Sequence, residues 1–197
     1  MYDEKQLALM EAAIRAVARD GLEKTTTRSI GAAAGINDAY IYRYFRDKED
    51  LLSQAFTQVN DRMIELVLRE IDRQKRSTPD DACLRFTRVV RVLWDALMDE
   101  PETCLFCEYY YHSASYKKYA SEAHRALGRR LWNKVGERYD LNGHAEHAFY
   151  YLMESIFGFA VKAIERQTLQ EEAAFAQMCS RLYEIFRSAA TPKACAE

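Results

Sequence analysis

The 197-residue sequence predicts an all-α protein: a three-helix helix-turn-helix unit at the N-terminus, then a larger helical domain. Three observations carry this. Apolar residues recur at helical spacing from Leu7 to Phe186, with no strand-like alternation, internal repeat or low-complexity tract between them. Only 3 Pro and 7 Gly are present, which suits long helices with few tight turns. Hydrophobic residues at 49% and charged residues at 29% describe a globular chain and exclude wholesale disorder.

Leu7, Met10, Ile14 and Val17 give a first helix one buried face, ending near Gly21. Thr25, Thr26 and Thr27 each offer a cap for a short second helix over 28–34, which Gly35 stops through its freedom to take positive φ. Asn37 is the natural N-cap of a third helix, about 38–45. Asp47 starts the fourth, with Glu49 and Asp50 favourable in its first turn. Its stripe of Leu52, Phe56, Val59, Met63, Leu66 and Ile71 runs unbroken to about Lys75, roughly 40 Å at 1.5 Å per residue. Ser77, Thr78 and Pro79 interrupt the pattern. Asp80 or Asp81 opens a fifth helix carrying Phe86, Val89, Val90, Leu93, Trp94 and Leu97, which Pro101 ends. Helical segments follow over 102–113 and 116–139. Asn142-Gly143 is a break, and two last helices occupy 144–166 and 170–188. The domains read as 1–50 for the helix-turn-helix, 51–75 for a linking helix, and 76–197 for the larger domain.

The N-terminus has acidic residues and no long apolar run, so it does not read as a signal peptide. No stretch approaches the roughly 18 apolar residues that span a bilayer. The expectation is a cytoplasmic chain without membrane contact. Five cysteines (Cys83, Cys104, Cys107, Cys179 and Cys195) then read as reduced thiols rather than a disulfide framework. Net charge is −2, so the whole molecule is no basic nucleic-acid binder. Residues 24–48 nevertheless set Lys24, Arg28, Arg43, Arg46 and Lys48 against Asp38 and Asp47, a local excess of positive charge.

The segment Thr25 to Leu52 carries the functional signal. A short helix, a turn containing Gly35 and a second short helix match helix-turn-helix geometry. Ile30, Ala33, Ile36, Ile41 and Phe45 can form a small core with the first helix. The N-terminal residues of the third helix then point outward, toward base edges in a major groove. The pattern Ile30-Gly31-x-x-x-Gly35-Ile36-x-x-x-x-Ile41-Tyr42-x-x-Phe45-x-x-Lys48-x-x-Leu51, preceded by Gly21-Leu22-x-x-x-Thr26-Thr27, closely resembles the DNA-binding domain of the tetracycline-repressor (TetR) family. The resemblance covers about Leu7 to Phe56.

The resemblance implies a transcriptional regulator binding double-stranded operator DNA, most simply a ligand-released repressor, and no enzyme. Thr27 and Arg28 would contact phosphates, Asn37, Asp38, Ala39 and Tyr40 would lie closest to the bases, and Tyr42 and Lys48 would hold further phosphates. Arg43 reads either as a guanine or phosphate contact or as a solvated side chain. Asp38 reads as a first-turn dipole partner before it reads as an acceptor from cytosine N4. Tyr40, Tyr42 and Tyr44 cannot share one helix face, so Tyr44 is assigned to packing or solvent. Gly31 stands where the family usually has Ala, which suggests close helix packing.

Beyond the motif, the last two helices are apolar on more than one side and so call for more than one partner. Phe149, Met153, Ile156, Ala160 and Ile164, with Phe175, Met178, Leu182 and Phe186, form the expected homodimer interface, and the resemblance implies a four-helix dimer bundle. The middle of the chain is rich in aromatics, and the family is mostly ligand-responsive. Trp94, Phe106, Glu108, Tyr109, Tyr110, Trp132, Tyr150, Glu154 and Phe157 are the expected pocket for an unknown small-molecule effector, with Glu108 or Glu154 favouring a cation.

Two alternatives stay open: a helical small-molecule-binding protein without DNA activity, and a redox- or metal-responsive regulator using the Cys104-Leu105-Phe106-Cys107 motif. Zinc wants four ligands and no second pair sits at suitable spacing, so neither a metal site nor a cofactor is expected. His144 and His147 read as a helix-opening surface pair. No nucleophile elbow, phosphate-binding glycine loop, zincin motif or dinucleotide fingerprint is present.

Overall fold

The computed structural model describes residues 2–77, 81–166 and 172–193. The Thr78-Pro79 break, the alternative cap at Asp80, the expected start of the last helix at Gln170, and Cys195 lie outside them.

Helix α1 (Glu4–Asp20) opens on a capping box. Asp3 accepts from the Gln6 amide at 2.8 Å while Gln6 Oε1 accepts from the Asp3 amide at 2.9 Å. It ends at Gly21, whose φ of 81° favours glycine. Of the three threonines before α2 (Thr27–Ala34), Thr26 is the cap. Its hydroxyl accepts from the Ser29 amide at 3.1 Å, and Ser29 Oγ accepts from the Thr26 amide at 3.0 Å. Gly35 closes α2 in the left-handed region at φ 67°.

The expected single helix over 38–45 is two pieces. Asn37 caps it by accepting from the Ala39 amide at 2.9 Å, and the Tyr40 amide reaches back to the Asn37 carbonyl. This tightens Asp38–Tyr40 into a 3-10 turn before α3 (Ile41–Tyr44), and Phe45 is already extended. Helix α4 (Lys48–Ser77) is capped by Asp47, which accepts from the Asp50 amide at 2.8 Å. That backbone bond, with Arg46 beside it, holds the Asp47 carboxyl below its usual range.

Asp81 is the cap of α5 (Ala82–Asp99), accepting from Leu84 N at 3.1 Å. Pro101 both ends α5 and opens α6 (Pro101–Tyr111) at its first turn. The segment expected as one helix over 116–139 begins instead as a π-turn, Tyr116–Ala120. It continues as α7 (Ser121–Gly136) and finishes in β1 (Tyr139–Leu141). Then come α8 (Ala145–Arg166), α9 (Glu172–Ala189) and β2 (Ala190–Pro192). The two strands pair antiparallel, Asp140 opposite Thr191. The sequence reading expected no strand, and three residues per strand are too few to show alternation.

The chain divides into two compact units, 1–62 with 100–126, and 63–99 with 127–197. This differs from the expected division at 50 and 75. In the first unit α1 packs on both α2 and α6, so a helix distant in sequence completes the helix-turn-helix core. That core holds Leu9, Met10, Val17, Ile30, Ile41, Phe45, Phe56, Phe106 and Tyr110, all nearly inaccessible. Ala33, on the outer face of α2, is exposed and Ile36 is half-buried, so neither anchors it as expected. His124 sits edge-on to Phe56, Tyr111 and Tyr116, and its Nδ1 lies 2.9 Å from the Tyr116 hydroxyl. Burial lowers its affinity for a proton.

In the second unit α5 packs on α8 and α9, and α8 on α9. Val90, Leu93, Trp94, Leu97, Leu152, Ile156 and Leu182 are buried there. Arg91 lies 3.4 Å from the ring centre of Phe175 and pairs with Glu172.

Candidate functional site

The first unit presents a polar surface built on the motif. Thr27 starts α2, half-buried, and Arg28 beside it is exposed. Across the turn Asn37, Ala39, Tyr40, Tyr42 and Arg43 are exposed and Asp38 is half-buried. Tyr42 is the most open of the three tyrosines at 60%, Tyr40 stands at 45%, and Tyr44 is half-buried. Arg28 and Arg43 make no ion pair among the described residues, whereas neighbouring Arg46 is held by Asp47 at 3.0 Å. An exposed guanidinium without an internal counter-charge is the kind of group that neutralises a phosphate or reads guanine.

Two residues behave differently from the rest. Asn37 spends its carbonyl oxygen on the helix cap, which leaves its amide N–H groups for an outside partner. Lys48 turns its ammonium inward, donating to the Leu22 carbonyl at 3.3 Å and the Thr25 carbonyl at 3.1 Å, with Glu49 at 3.8 Å. It ties the α1–α2 connection to the start of α4, so it positions the motif whatever else it touches.

Gly31 has a clear reason. A Cβ there would lie 2.7 Å from the Ile36 carbonyl oxygen and 3.1 Å from the Asp38 backbone. The same Ile36 amide donates to Gly31 O at 2.9 Å. The close approach sets the angle between α2 and the segment at 37–44.

The nine residues expected to line a pocket are not brought together. Phe106 and Tyr110 are buried in the first unit, stacked at 5.9 Å, with Tyr110 against Phe56 at 5.1 Å. Glu108 there faces His112 at 3.3 Å, and Tyr109 is exposed. In the second unit Glu154 is exposed, and Tyr150 and Phe157 are half-buried. Trp94 borders a groove of about 190 Å3 with Phe159, Phe175 and Met178.

A separate cavity of about 120 Å3 includes only Trp132 of the nine. Its walls are Val67 and Ile71 of α4, Phe86 and Val89 of α5, Leu131 of α7, and Phe149, Leu152 and Ile156 of α8. The polar groups at its edge are Gln74, Arg85, Lys134, Arg138 and Tyr139, with no Asp or Glu. Neither Glu108 nor Glu154 reaches it, so the expected preference for a cation is not built into this cavity. Sequence reasoning missed Arg85 and Arg138, for which spacing carried no signal.

The expected dimer residues mostly face inward. Phe149, Ile156, Ala160, Phe175, Met178, Leu182 and Phe186 are buried within one chain, and Met153 and Ile164 are half-buried. Phe149, Met153, Ile156 and Phe186 line the cavity instead. The apolar groups that α8 leaves outside are Tyr151, 57% exposed, and Phe159, 40% exposed.

The Cys104–Cys107 pair is fully packed in α6. Burial pushes the Cys104 thiol up to about 12 and Cys107 higher still, so both stay protonated and unreactive near neutrality. This removes the basis for a redox switch on these thiols. His144 and His147 are exposed, and no group of three or more potential metal ligands occurs among the described residues. No helix among them is long and apolar enough to cross a membrane.

The family model described as "Bacterial regulatory proteins, tetR family" matches residues 9–55. Over 67 residues the chain is 31% identical to the fatty acid metabolism regulator protein of Bacillus subtilis (strain 168). The match spans 34% of each chain, so it covers about a third of that curated relative. Two solved structures share the fold over nearly the whole length. A TetR family transcription regulator from Marinobacter aquaeolei VT8 has a TM-score of 0.75 at 21% identity, covering 95% of this chain and 96% of that one. The fatty acid degradation regulator of Bacillus halodurans has a TM-score of 0.71 at 14% identity, covering 94% and 96%. The family model thus covers the helix-turn-helix, about a quarter of the chain, and the solved structures share the fold along nearly its whole length.

Proposed function

We propose that this protein is a sequence-specific transcriptional regulator that binds double-stranded operator DNA as a homodimer and is released by a small-molecule effector. One observation carries the reading. A short helix-turn-helix exposes Arg28, Asn37, Ala39, Tyr40, Tyr42 and Arg43 together, with both arginines free of ion pairs among the described residues. The segment at 37–44 enters the major groove, Thr27 and Arg28 sit on the adjoining phosphates, and Tyr42 donates its hydroxyl to another. One such unit reads few bases. A second copy, covering Tyr151 and Phe159 of α8, doubles the contacts and sets half-sites about 34–36 Å apart.

The effector occupies the cavity of the second unit, whose wall residues Val67 and Ile71 belong to α4, the helix that begins at Lys48 beside the motif. Moving α4 changes how the recognition segment is held, and a coupling of about 1–3 kcal/mol weakens operator binding by about 5- to 150-fold. Two of the relatives above are named as regulators of fatty acid metabolism and degradation, which supports a metabolite-responsive role.

The test is selection of duplexes from a random pool by the full-length protein, followed by anisotropy titration of the selected site. The expected product is a pseudo-palindrome whose affinity falls steeply with salt. Recovery of no enriched sequence at low salt overturns the reading.

A further inference from the structure

We propose that the cavity of the second unit binds a small amphipathic carboxylate, its apolar body among the aromatic walls and its carboxylate on Arg138. This deepens the effector part of the proposed function and rests on it for the regulatory consequence, though not for the binding itself. The size comes first. A cavity of 150 Å3 lined by apolar side chains holds benzene, so about 120 Å3 suits an apolar body of roughly five or six carbons. Trp132, Phe149 and Phe86 supply the surface for it.

The charge comes second. Three cations, Arg85, Lys134 and Arg138, border this cavity and no carboxylate does. Lys134 is already neutralised, by Asp72 at 2.9 Å and Glu137 at 3.2 Å. Glu70, buried in α4, is taken up by Arg73 at 2.7 Å and Gln74 at 2.9 Å. Arg138 is half-buried and makes no ion pair among the described residues.

Its backbone is pinned on both sides. The Arg138 amide donates to Val135 O at 3.0 Å, and its carbonyl accepts from the Lys193 amide at 2.9 Å. Arg138 borders an apolar cavity with no protein counter-ion among the described residues, and the planar fork of a guanidinium takes both oxygens of a carboxylate. Chain and ring bodies share this chemistry, and the probes separate them.

The experiment titrates full-length protein with hexanoate and with phenylacetate, and with hexylamine and hexanol as matched controls. Calorimetry and Trp132 fluorescence are the readouts. The expected result is that at least one carboxylate binds about tenfold or more tighter than the amine and the alcohol. Arg138→Gln removes that preference and leaves hexanol unchanged, and Arg138→Lys restores part of it. Val89→Trp, which fills the cavity, blocks every probe. Should the filled variant fail to fold, the Arg138 pair still decides. Equal binding of amine or alcohol, an Arg138→Gln variant that keeps its carboxylate affinity, or no binding by any probe overturns the proposal. Duplex selection on the ligand-free protein runs in parallel. Duplex binding without carboxylate binding removes only the ligand class, whereas failure of duplex selection removes the regulator reading and leaves the carboxylate titration to be judged alone.

Discussion

The helix-turn-helix at 27–48 and the helices α8 and α9 both carry closely spaced apolar and aromatic side chains, yet they use them in opposite ways. In the first, a few apolar groups (Ile30, Ile41 and Phe45) are buried, while Arg28, Asn37, Tyr40, Tyr42 and Arg43 are turned out, with no ion pair on either arginine among the described residues. In the second, most of the large apolar residues that suggested a partner chain are packed within the chain itself, and among the described residues Tyr151 and Phe159 stay exposed. An exposed polar group at fixed spacing from a small core is informative because the core leaves it one direction to point. An apolar stripe is not, because a core, a cavity and a second copy all want the same residues.

The largest effect that tests this contrast is in α9. Leu182→Ala, at a position 3% exposed, is expected to cost about 2–5 kcal/mol of stability. The loss should be independent of protein concentration in thermal unfolding. A loss that shrinks at high concentration would place Leu182 on a dimer seam and break the comparison. Next comes the polar surface. Arg28→Ala with Arg43→Ala, which removes two cations from each subunit of the dimer, is expected to weaken duplex binding by about 2–4 kcal/mol or more and lower the salt slope by about 4, with unfolding nearly unchanged. An unchanged slope in anisotropy titrations at several salt concentrations removes both arginines from the interface.

Gly31→Ala sharpens the role of the turn. Its Cβ meets the Ile36 carbonyl at 2.7 Å, so a cost of about 1–3 kcal/mol in unfolding and a loss of operator affinity are expected together. An alanine that costs nothing would show that the α2 turn is not set by this approach. The smallest effect is on pH. His124 has its folded-state value lowered below the ordinary 6.5 by burial, so the unfolded chain takes up the proton first. The stability this residue contributes is complete above the ordinary value and declines as pH falls through it toward the lower folded value. His124→Gln is expected to flatten that part of a stability-against-pH curve, and an unaltered slope would assign the dependence elsewhere.

Much of the first unit was legible in the sequence for a local reason. Asn37 before Ala39 and Asp47 before Asp50 are caps that act within two or three residues, so composition and spacing suffice to place those helix starts. Reading 38–45 as one helix failed because the Asn37 cap tightens the first turn, a matter of the Tyr40 amide bonding three residues back rather than four, which the apolar pattern does not record. The two strands were invisible because their pairing joins positions about fifty residues apart over three residues each.

What the amino-acid order determined alone is the course of most helices, the resemblance of the helix-turn-helix to the tetR family model, and most of the side chains that this motif turns outward. Tertiary structure decided that α6 completes the core of the first unit, that Lys48 serves the α1–α2 connection, that the aromatic middle of the chain is shared between two units, and that arginines rather than glutamates border the cavity. The dividing line is range. Caps, turns and helical faces are settled by neighbours in sequence, whereas which apolar face meets which, and which charge is left over, depends on every other surface competing for the same contact.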